Sequence, residues 1–421
     1  MSSVANVMQE LFEKALGIAP PWFIERIEFS QDEKRLDIYI NFKRGSKFSY
    51  FDNKNNKEFS NLSAYDTTTK KWRHLNFFEH ECYLHARIPR VKLPDGTIKT
   101  IKAPWEGVSS GFSLLFEALL LQLCSSMPVN QVSKLINVHN DKIWDMLDRY
   151  VNKAKEYEDF SNIDSVGIDE TSIAKGHEYI TLFVDLNKRR TLFVAEGKDA
   201  STVKEFVKDF KEHKAEIDNI RNVSCDMSPA FIKGVKEHIP NADITFDKFH
   251  ILKIINEAVD SVRKQESKEN KLLKGTKYIW LKNKHNLTRK QREALKELTI
   301  SNMNLKTIRA YNIRQSFQDI YNAETEEEFT AYLKKWYFWA THSRLKPIIE
   351  SARTIKKHWN GIINWFRSRI NNGILEGLNS VIQAAKAKAR GYRTFKNYRI
   401  IVYLLTGKLD FSLVNKSLRG I

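Results

Sequence analysis

The feature that most constrains the fold of this chain is a succession of short apolar runs and amphipathic segments between Val166 and about residue 265. A period of two predicts strands and a period of 3.6 predicts helices. The predicted elements are, in order, strands at 166–170, 178–186 and 191–197, a helix at about 201–213, a strand at 222–226, a helix at 229–239, a strand at 243–247 and a long helix from about 249. A capping-box pattern, Thr202 to Glu205, is expected to open the first of these helices. This order predicts an α/β domain at residues 160–265, with helices on the faces of a mixed sheet.

Three acidic residues follow predicted strands of this sheet. Asp169 is expected at the end of the first strand, Asp226 at the end of the fourth and Asp247 at the end of the fifth. Ligands of open α/β sheets gather at such strand ends. Because side chains alternate along a strand, Asp169 and Glu170 face opposite sides, and only one of them can serve a given site. Asp226 also precedes Ser228-Pro229, a pair typical of a helix start.

A fourth carboxylate, Glu376, lies in a helix that is predicted to begin after a chain break at Asn371-Asn372-Gly373. Positions i+3, i+4 and i+7 from this glutamate are polar, and the opposite side of the helix is apolar. The polar residues are Asn379, Ser380 and Gln383, and the apolar residues are Leu375, Leu378 and Ile382. A glutamate in the first turn often only complements the helix dipole, and that structural role is the alternative for Glu376 alone.

Together these carboxylates point to a metal-dependent reaction. Two or three carboxylates on one sheet edge can hold a pair of Mg²⁺ ions, since oxygen is the preferred ligand of Mg²⁺; Mn²⁺ is an expected substitute. Two metals about 4 Å apart activate a water or a 3′-OH and stabilise the leaving oxygen of a phosphodiester. We therefore predict metal-assisted phosphodiester chemistry.

The chain carries a formal net charge of +18, and the excess lies in two windows. Residues 263–298 hold 12 basic and 4 acidic residues, and residues 346–399 hold 12 basic and 2 acidic residues, so the rest of the chain is neutral. Such a surface is typical of a polyanion-binding protein, because each phosphate bound releases counterions. Most of the interleaved aromatics, such as Trp359 and Trp365, fit helix cores better than a base-stacking role. Nucleic acid is the predicted partner.

The remaining chain divides by pattern into further regions. They are a β-rich N-terminal module at 1–105, a helical segment at 106–155, a basic helical insertion at 266–370, and a terminal helix with a basic C-terminal region at 371–421. Within the helical segment, predicted helices at 110–124, 129–136 and 140–151, the last with Asn140 as N-cap, give a helix-turn-helix pattern. Aspartates outnumber Lys142 and Arg149 on the last helix, so a three-helix packing unit is an equal alternative to a DNA reader.

The expected compartment is reducing and aqueous. The chain has 3 cysteines, too few and too scattered for a disulfide framework. Its N-terminus lacks the basic region of a secretory signal, and its most apolar run, Ser113 to Cys124, is too short to span a bilayer. We expect a soluble, cytoplasmic and nucleoid-associated protein with no membrane partner.

Three long blocks carry a family resemblance. They are GIDETSIAKGHEYITLFVDLNKRRTLFVAEGKD, VSCDMSPAFIKGVKEHIPNADITFDKFHILKIINEAVDSVRK and NNGILEGLNSVIQAAKAKARGYRTFKNYR, and the likeness extends from about Trp72 to Arg399. They resemble DDE insertion-sequence transposases of the ISL-three type. The resemblance implies an RNase H-like catalytic core that is interrupted by a helical insertion before the final glutamate.

The resemblance also assigns roles to residues. Asp169, Asp226 and Glu376 match the catalytic, metal-binding triad, and Asp247 is the rival for the second position. Asp226 is preferred because its segment resembles the second-aspartate block, whereas DKFH stands where relatives have a supporting Cys/His motif. Asp247 and His250 are therefore expected to orient the site. A histidine satisfied at a helix start is the alternative for His250.

One departure from the family pattern concerns zinc. Members of this group usually begin with a Cys-rich zinc module, whose cysteines would fall near residues 48–53 and 93–96, where this chain has none. His80, Cys82 and His85 are close in sequence, but on a strand His85 faces away from the other two. No zinc is expected, because a closed structural site needs four ligands.

The expected activity is that of a DNA transposase, which cleaves the ends of its element and joins the 3′-OH ends to target DNA. Double-stranded DNA, both terminal inverted repeats and target, is the expected partner, and a homodimer or higher assembly is implied. The predicted DNA contacts are Lys142, Lys386, Lys388, Arg390 and Arg393. The alternatives are a catalytically silent DNA-binding regulator and a structure-selective nuclease without strand transfer.

Overall fold

The computed structural model describes residues 2–52, 55–109, 111–173, 179–283, 286–301, 304–370 and 373–418. The described residues form two β-sheets and a larger set of helices, in agreement with the predicted mixed α/β class. Ser110, the predicted start of a helix, and Asn371 and Asn372 of the predicted chain break lie outside the described residues. None of the helices described is long and apolar enough to cross a membrane.

The N-terminal sheet follows helix α1, Ser2–Leu16. Its strands are β1 (Trp22–Ser30), β2 (Arg35–Phe42), β3 (Lys47–Asp52), β4 (Lys57–Phe77), β5 (His80–Lys92) and β6 (Ile98–Thr100). The order across the sheet is β1-β2-β5-β4-β3, and β6 pairs with β5 in a hairpin. Ile38, Trp72 and Ile88 are buried in its core, and Trp105 packs edge-on against Trp72.

The sequence patterns did not predict α1 or β4. The 21 residues of β4 are mostly polar, and its exposed outer half lacks the alternation that marks a half-buried strand. Backbone hydrogen bonds hold β4 in place, since its first part, up to Ser63, pairs with β3 and the remainder, from Ala64, pairs with β5. Backbone pairing of this kind leaves little trace in side-chain composition.

Three helices connect the two sheets. They are α2 (Leu114–Ser126), α3 (Val129–Ile136) and α4 (Asn140–Glu156). α2 begins later than predicted, because Ser113 is its N-cap and accepts a hydrogen bond from the backbone N–H of Phe116. The N-cap of α4 is His139 rather than the predicted Asn140. Asn137, in the left-handed conformation, makes the predicted turn between α3 and α4.

The central sheet has the strand order β11-β10-β7-β8-β9. Its strands are β7 (Ser165–Ser172), β8 (Tyr179–Asp185), β9 (Arg190–Glu196), β10 (Asn222–Cys225) and β11 (Asp243–Phe246). β7, β8 and β9 are antiparallel, whereas β10 is parallel to both β7 and β11. The predicted mixed sheet is therefore confirmed, with β7 at its centre.

Helices cover both faces of the central sheet. They are α5 (Ala200–Glu212), α6 (Pro229–His238), α7 (Lys248–Glu266), α14 (Gly373–Ala389) and α15 (Phe395–Thr406). The predicted capping box does not open α5: Asp199 is the N-cap, and Thr202 lies inside the helix, where its hydroxyl donates to the Asp199 carbonyl at 2.7 Å. Ser228 and Pro229 occupy the predicted N-cap and N1 positions of α6.

Each face of this sheet packs against a hydrophobic cluster of its own. One cluster joins Phe183, Phe206 and Phe231 with helices downstream of α7. The other joins Leu182 of the sheet with Leu147 of α4 and Tyr398 of α15. The three-helix segment and the central sheet therefore share one continuous core.

The predicted insertion, residues 266–370, is helical throughout its described parts and holds no described strand. Its α-helices are α8 (Lys277–Leu281), α9 (Arg289–Ser301), α10 (Lys306–Asp319), α11 (Glu326–Thr341), α12 (Lys346–Lys357) and α13 (Trp359–Ser368). α13 returns to the sheet, where the Asn364 side chain donates to the Ile244 carbonyl at 3.0 Å. Gly361 permits the close approach, since a Cβ there would meet Phe246 at 2.3 Å.

Candidate functional site

Acidic residues from four elements meet at one edge of the central sheet, around a cavity of about 160 Å³. The cavity is lined by Ile168, Asp169, Asp226, Asp247, Phe249, His250, Lys253, Leu375 and Glu376. The structure therefore brings together all five predicted site residues, although Glu376 is 129 or more positions away from the other acidic residues in the sequence. Clustered carboxylates in a small cavity are an arrangement that attracts cations.

Asp169 lies inside β7 rather than at its end, because the strand continues to Ser172. Its Oδ1 accepts from the Glu170 backbone N–H at 2.9 Å, and its Oδ2 accepts from the Asn379 side chain at 2.5 Å. Burial raises the pKa of Asp169 to about 6, and the nearby charge of Asp226 adds to the effect. The cavity therefore holds negative charge that is poorly compensated by the protein.

Asp226 and Asp247 follow neighbouring parallel strands, as predicted, but their hydrogen bonding differs. Asp226 is half-buried, and its Oδ1 accepts from the Ser228 backbone N–H at 2.9 Å. Asp247 is buried and is the N-cap of α7: its Oδ1 accepts from the Phe249 backbone N–H at 2.9 Å, and its Oδ2 accepts from His250 Nδ1 at 2.8 Å. The hydrogen bond to Asp247 raises the pKa of His250 and favours its protonated form.

Glu376 reaches the cavity because α14 lies along β7. Its side chain is exposed, while the adjacent Leu375 is buried against Gly167. The predicted polar stripe forms a ladder of contacts: beyond Asn379, Gln383 donates to Thr171 Oγ1 at 2.5 Å. Sequence patterns identified the stripe but not its partners on β7, because nothing in the sequence pairs these distant segments.

The carboxylates that line the cavity offer the oxygen ligands that Mg²⁺ prefers, but they do not form a closed cage around one ion. Among the described residues, no three His, Cys, Asp or Glu side chains are grouped closely enough to hold one metal ion together. Mg²⁺ commonly takes one or two carboxylates and completes its shell with water and substrate phosphate. Asn379 Oδ1 and Glu170 Oε2 are buried and have no hydrogen-bond partner within the described parts of the chain. Of these two residues only Asn379 contacts Asp169, because Glu170 points to the other side of β7. The orphaned oxygen of Asn379 fits a site that is completed by a ligand.

Three of the five predicted DNA contacts line a second, larger groove of about 840 Å³. Lys386, Arg390 and Arg393 form one side, and Asn140 and Trp144 of α4 form the other. The helix-turn-helix segment therefore faces the basic end of α14.

The other two predicted DNA contacts lie elsewhere. Lys142 is exposed on α4 but does not line the groove, and Lys388 donates to the Ser126 carbonyl at 2.6 Å. Lys386 also serves the fold, since it donates to the Ser172 carbonyl at 2.7 Å. Lys386 and Lys388 thus tie α14 to β7 and α2, respectively.

The histidine and cysteine side chains considered for zinc have other environments. Cys82 is buried, which raises the pKa of its thiol to about 12. His85 contacts Asp37 at 2.5 Å and stacks on Tyr39, whereas His80 packs against Phe29. Both ring nitrogens of His80 are buried and have no hydrogen-bond partner within the described parts of the chain.

Comparison with known proteins places this chain among transposases. A family described as transposase matches residues 166–402, and the helix-turn-helix domain of transposase family ISL3 matches residues 103–151. The chain belongs to the transposase family ISL3. The predicted resemblance is thereby confirmed, and the segment spanning α2 to α4 is a helix-turn-helix domain rather than only a packing unit.

Two curated relatives extend the similarity over most of the chain. The transposase for insertion sequence element IS1001 of Bordetella parapertussis is 27% identical over 90% of this chain and 94% of its own length. The transposase for insertion sequence element IS1557 of Mycobacterium tuberculosis (strain CDC 1551 / Oshkosh) is 25% identical over 91% of this chain and 92% of its own length.

Proposed function

We propose that this chain cuts DNA at the ends of an insertion sequence and joins the freed 3′-OH ends to target DNA by two-metal chemistry. The observation that carries the proposal is the meeting of Asp169, Asp226 and Glu376 around one cavity of a transposase domain. Three antiparallel strands followed by two parallel strands, with a return to β7 through α14, support an RNase H-like core. The helical stretch at 266–370 then corresponds to the insertion before the final glutamate.

Asp169, on the central strand, would contribute to both Mg²⁺ or Mn²⁺ sites, with Asp226 completing one and Glu376 the other. When bound, such ions activate the attacking water or 3′-OH and stabilise the leaving oxygen. Asn379 fixes the orientation of the Asp169 carboxylate through its 2.5 Å hydrogen bond. Pairwise ligation needs no three-residue cage, because water and DNA phosphates complete each shell.

Burial supports Asp226 rather than Asp247 as the ligand. Asp247 is buried and caps the first turn of α7, whereas Asp226 is half-buried, as Asp169 is. Asp247 is therefore a positioning residue for His250. His250 lines the cavity with Asp169 and Asp226, and its hydrogen bond to Asp247 raises its pKa.

DNA binding is assigned to the helix-turn-helix domain together with the groove beside it. Lys386, Arg390 and Arg393 would contact phosphates while α4 reads the terminal inverted repeat. Lys142, Lys388 and the N-terminal module are proposed as further contacts. Because two element ends are cut in one event, we infer that at least two copies of the chain assemble on DNA.

The test is incubation of the full-length protein with Mg²⁺ and a labelled duplex that contains the junction between the element and its flanking DNA. Wild type is expected to cut at the junction and to join the 3′-OH end to a second duplex. Asp226→Ala is expected to bind the same duplex without cutting it. Asp247→Ala is the matched variant, and we expect it to slow cutting without abolishing it.

The outcomes separate the alternatives. Binding without cutting by wild type would make the chain a DNA-binding regulator. Cut products that never join a second duplex would make it a nuclease. If Asp226→Ala cuts and Asp247→Ala does not, the ligand role passes to Asp247.

A further inference from the structure

A further cavity, of about 630 Å³, runs along one side of α7. It lies next to the cavity that holds Asp169, Asp226 and Glu376, here named the catalytic cavity. The floor of the further cavity is a stripe of α7 from Phe249 to Lys264, and residues of α8 and α10 contribute to the opposite wall. This stripe of α7 is about 22 Å long, at a helical rise of about 1.5 Å per residue. The cavity is therefore an elongated groove, here named the α7 groove. Phe249 and Lys253 line both the α7 groove and the catalytic cavity, so the two spaces meet at the start of α7.

The α7 groove is positively charged. Its basic residues are Lys253, Lys264, Lys277, Lys282 and Arg314, and its acidic residues are Glu257 and Asp260. Asp260 is already neutralised, because Arg263 and Lys264 lie 2.8 and 3.1 Å from its oxygens. The groove therefore favours an anionic occupant.

Arg314 provides an independent indication of an anion. It is 1% exposed, and within the described parts of the chain no carboxylate forms an ion pair with it. Its guanidinium donates instead to neutral oxygens of Asn256 at 2.5 Å, Gln318 at 3.2 Å, Asn283 at 3.1 Å and the Leu281 carbonyl at 2.9 Å. A buried charge without a counter-charge is unfavourable, and a phosphate in the groove supplies one.

Phe249 indicates what accompanies the phosphate. Its side chain is 52% exposed at the junction of the two cavities, next to the buried Asp247. An exposed aromatic ring beside basic residues is a stacking platform for a nucleobase. A base presents its face to such a ring only after it leaves the duplex stack.

We propose that the α7 groove binds one or two unpaired nucleotides of the DNA strand next to the bond that is cut. The base nearest the cavity stacks on Phe249, and the phosphates lie near Lys253, Lys282 and the charge of Arg314. The volume of the groove is that of a small-ligand site, the size of one or two nucleotides rather than of a duplex. This inference rests on the proposed function, and it adds that local strand opening accompanies cutting.

The test compares wild type, Phe249→Ala, Phe249→Trp and the control Phe338→Ala, whose ring is 64% exposed on α11. Each protein is given a fully paired junction duplex and the same duplex with an abasic nucleotide beside the cut bond. Phe249→Ala is expected to cut the paired duplex about 5- to 150-fold more slowly, the range that corresponds to one lost stacking contact. The abasic duplex is expected to restore much of the Phe249→Ala rate. Phe249→Trp is expected to cut the paired duplex faster than Phe249→Ala, and Phe338→Ala is expected to cut both duplexes at the wild-type rate.

Binding of a six-residue thymidine oligonucleotide, followed by fluorescence anisotropy, gives a readout that is independent of cutting. Phe249→Ala and Lys282→Glu are each expected to weaken it at least fivefold. The proposal is overturned if Phe249→Ala cuts the paired duplex at the wild-type rate, or is equally slow on both duplexes. If wild type cuts nothing, the proposed function fails, and unchanged oligonucleotide binding by both variants then overturns the groove as well.

Discussion

Asn379 donates a 2.5 Å hydrogen bond to Asp169 from 210 positions further along the chain. This bond joins α14 to β7 at the point where the candidate metal ligands meet. The same carboxylate is the one whose pKa burial raises to about 6. Asn379 therefore fixes the orientation of a charged group that the fold otherwise disfavours.

Asn379→Ala is expected to reduce cutting by about 10- to 100-fold, because supporting partners of metal ligands contribute effects of that size. The Mg²⁺ concentration for half-maximal activity is expected to rise. Cleavage rates across a Mg²⁺ titration check both effects. Ser380→Ala is the matched control, since Ser380 is the exposed neighbour on α14. An unchanged Mg²⁺ midpoint for Asn379→Ala would assign Asn379 a purely structural role.

Gly167→Ala is expected to push α14 away from the sheet. A Cβ at this position would lie 2.8 Å from Leu186 Cδ2 and 2.9 Å from Leu375 Cδ2. Overpacking of this kind lowers the free energy of unfolding by about 1–3 kcal/mol, and here it also displaces the neighbouring Glu376. Thermal melting and cleavage rates measure the two consequences.

The control for this prediction is Gly377→Ala. A Cβ at Gly377 meets nothing within 4 Å, so this helical substitution is expected to stabilise the fold by about 0.5–1 kcal/mol. The double variant Gly167→Ala/Leu375→Ala is expected to be less destabilised than the sum of the two single variants, because the shorter side chain makes room for the new Cβ. Equal stability of Gly167→Ala and wild type would show that α14 adapts without strain.

His74 makes the stability of the fold dependent on pH. Burial lowers its pKa to about 4, and its Nδ1 lies 2.7 Å from Ser113 Oγ, the N-cap of α2. The unfolded chain binds a proton near pH 6.5 but the folded chain does not, so stability falls as the pH drops from about 6.5 to 4. Neutral His74 contributes about 3 kcal/mol to the free energy of unfolding. This contribution is fully present above pH 6.5 and is lost as the pH falls to about 4.

Urea denaturation at several pH values checks this dependence. His74→Gln is expected to be less stable than wild type at pH 7.5 and to lose less stability on acidification. His342→Gln, at an exposed position, is the control and is expected to follow wild type. If His74→Gln and wild type lose stability in parallel, other groups cause the acid sensitivity.

Arg390 and Arg393 are expected to act through phosphates. Replacing each with alanine should weaken duplex binding uniformly across sequences and lower the slope of log K against log salt by about 1. Gel-shift titrations at several salt concentrations measure the slope. Lys208→Ala, on α5 with an 81% exposed side chain, is the matched control. A slope that stays constant in both arginine variants would exclude the groove as a phosphate contact.

Local patterns predicted the elements of the central sheet well. The order of strands and helices, the break at Asn137 and the polar stripe of α14 all follow from periodicity and turn residues. The predicted end of β7 was too early: Thr171 and Ser172 are polar, yet they stay in the strand because β8 pairs with them. The onset of α2 was wrong for a similar reason, since Ser113 caps the helix while contacting His74 from the other sheet.

The candidate site was predictable as a set of residues but not as an arrangement. Asp169, Asp226 and Glu376 were selected from strand ends, helix starts and the family resemblance. Their common cavity depends on α14 packing beside β7, which joins residues about 200 positions apart. The hydrogen bonds to both oxygens of Asp247 likewise depend on its role as the N-cap of α7. The sequence indicated only that a histidine follows three positions later.

The hydrophobic core that Leu147 of the helix-turn-helix domain shares with Leu182 of the central sheet joins that domain to the candidate site. If the chain reads and cuts DNA as proposed, this shared core would set the number of base pairs between the sequence that is read and the bond that is cut. Grafting the recognition helices of a relative onto this chain would therefore shift the cut site as well as the preferred sequence. An element that acquires new ends must preserve this spacing to remain a substrate.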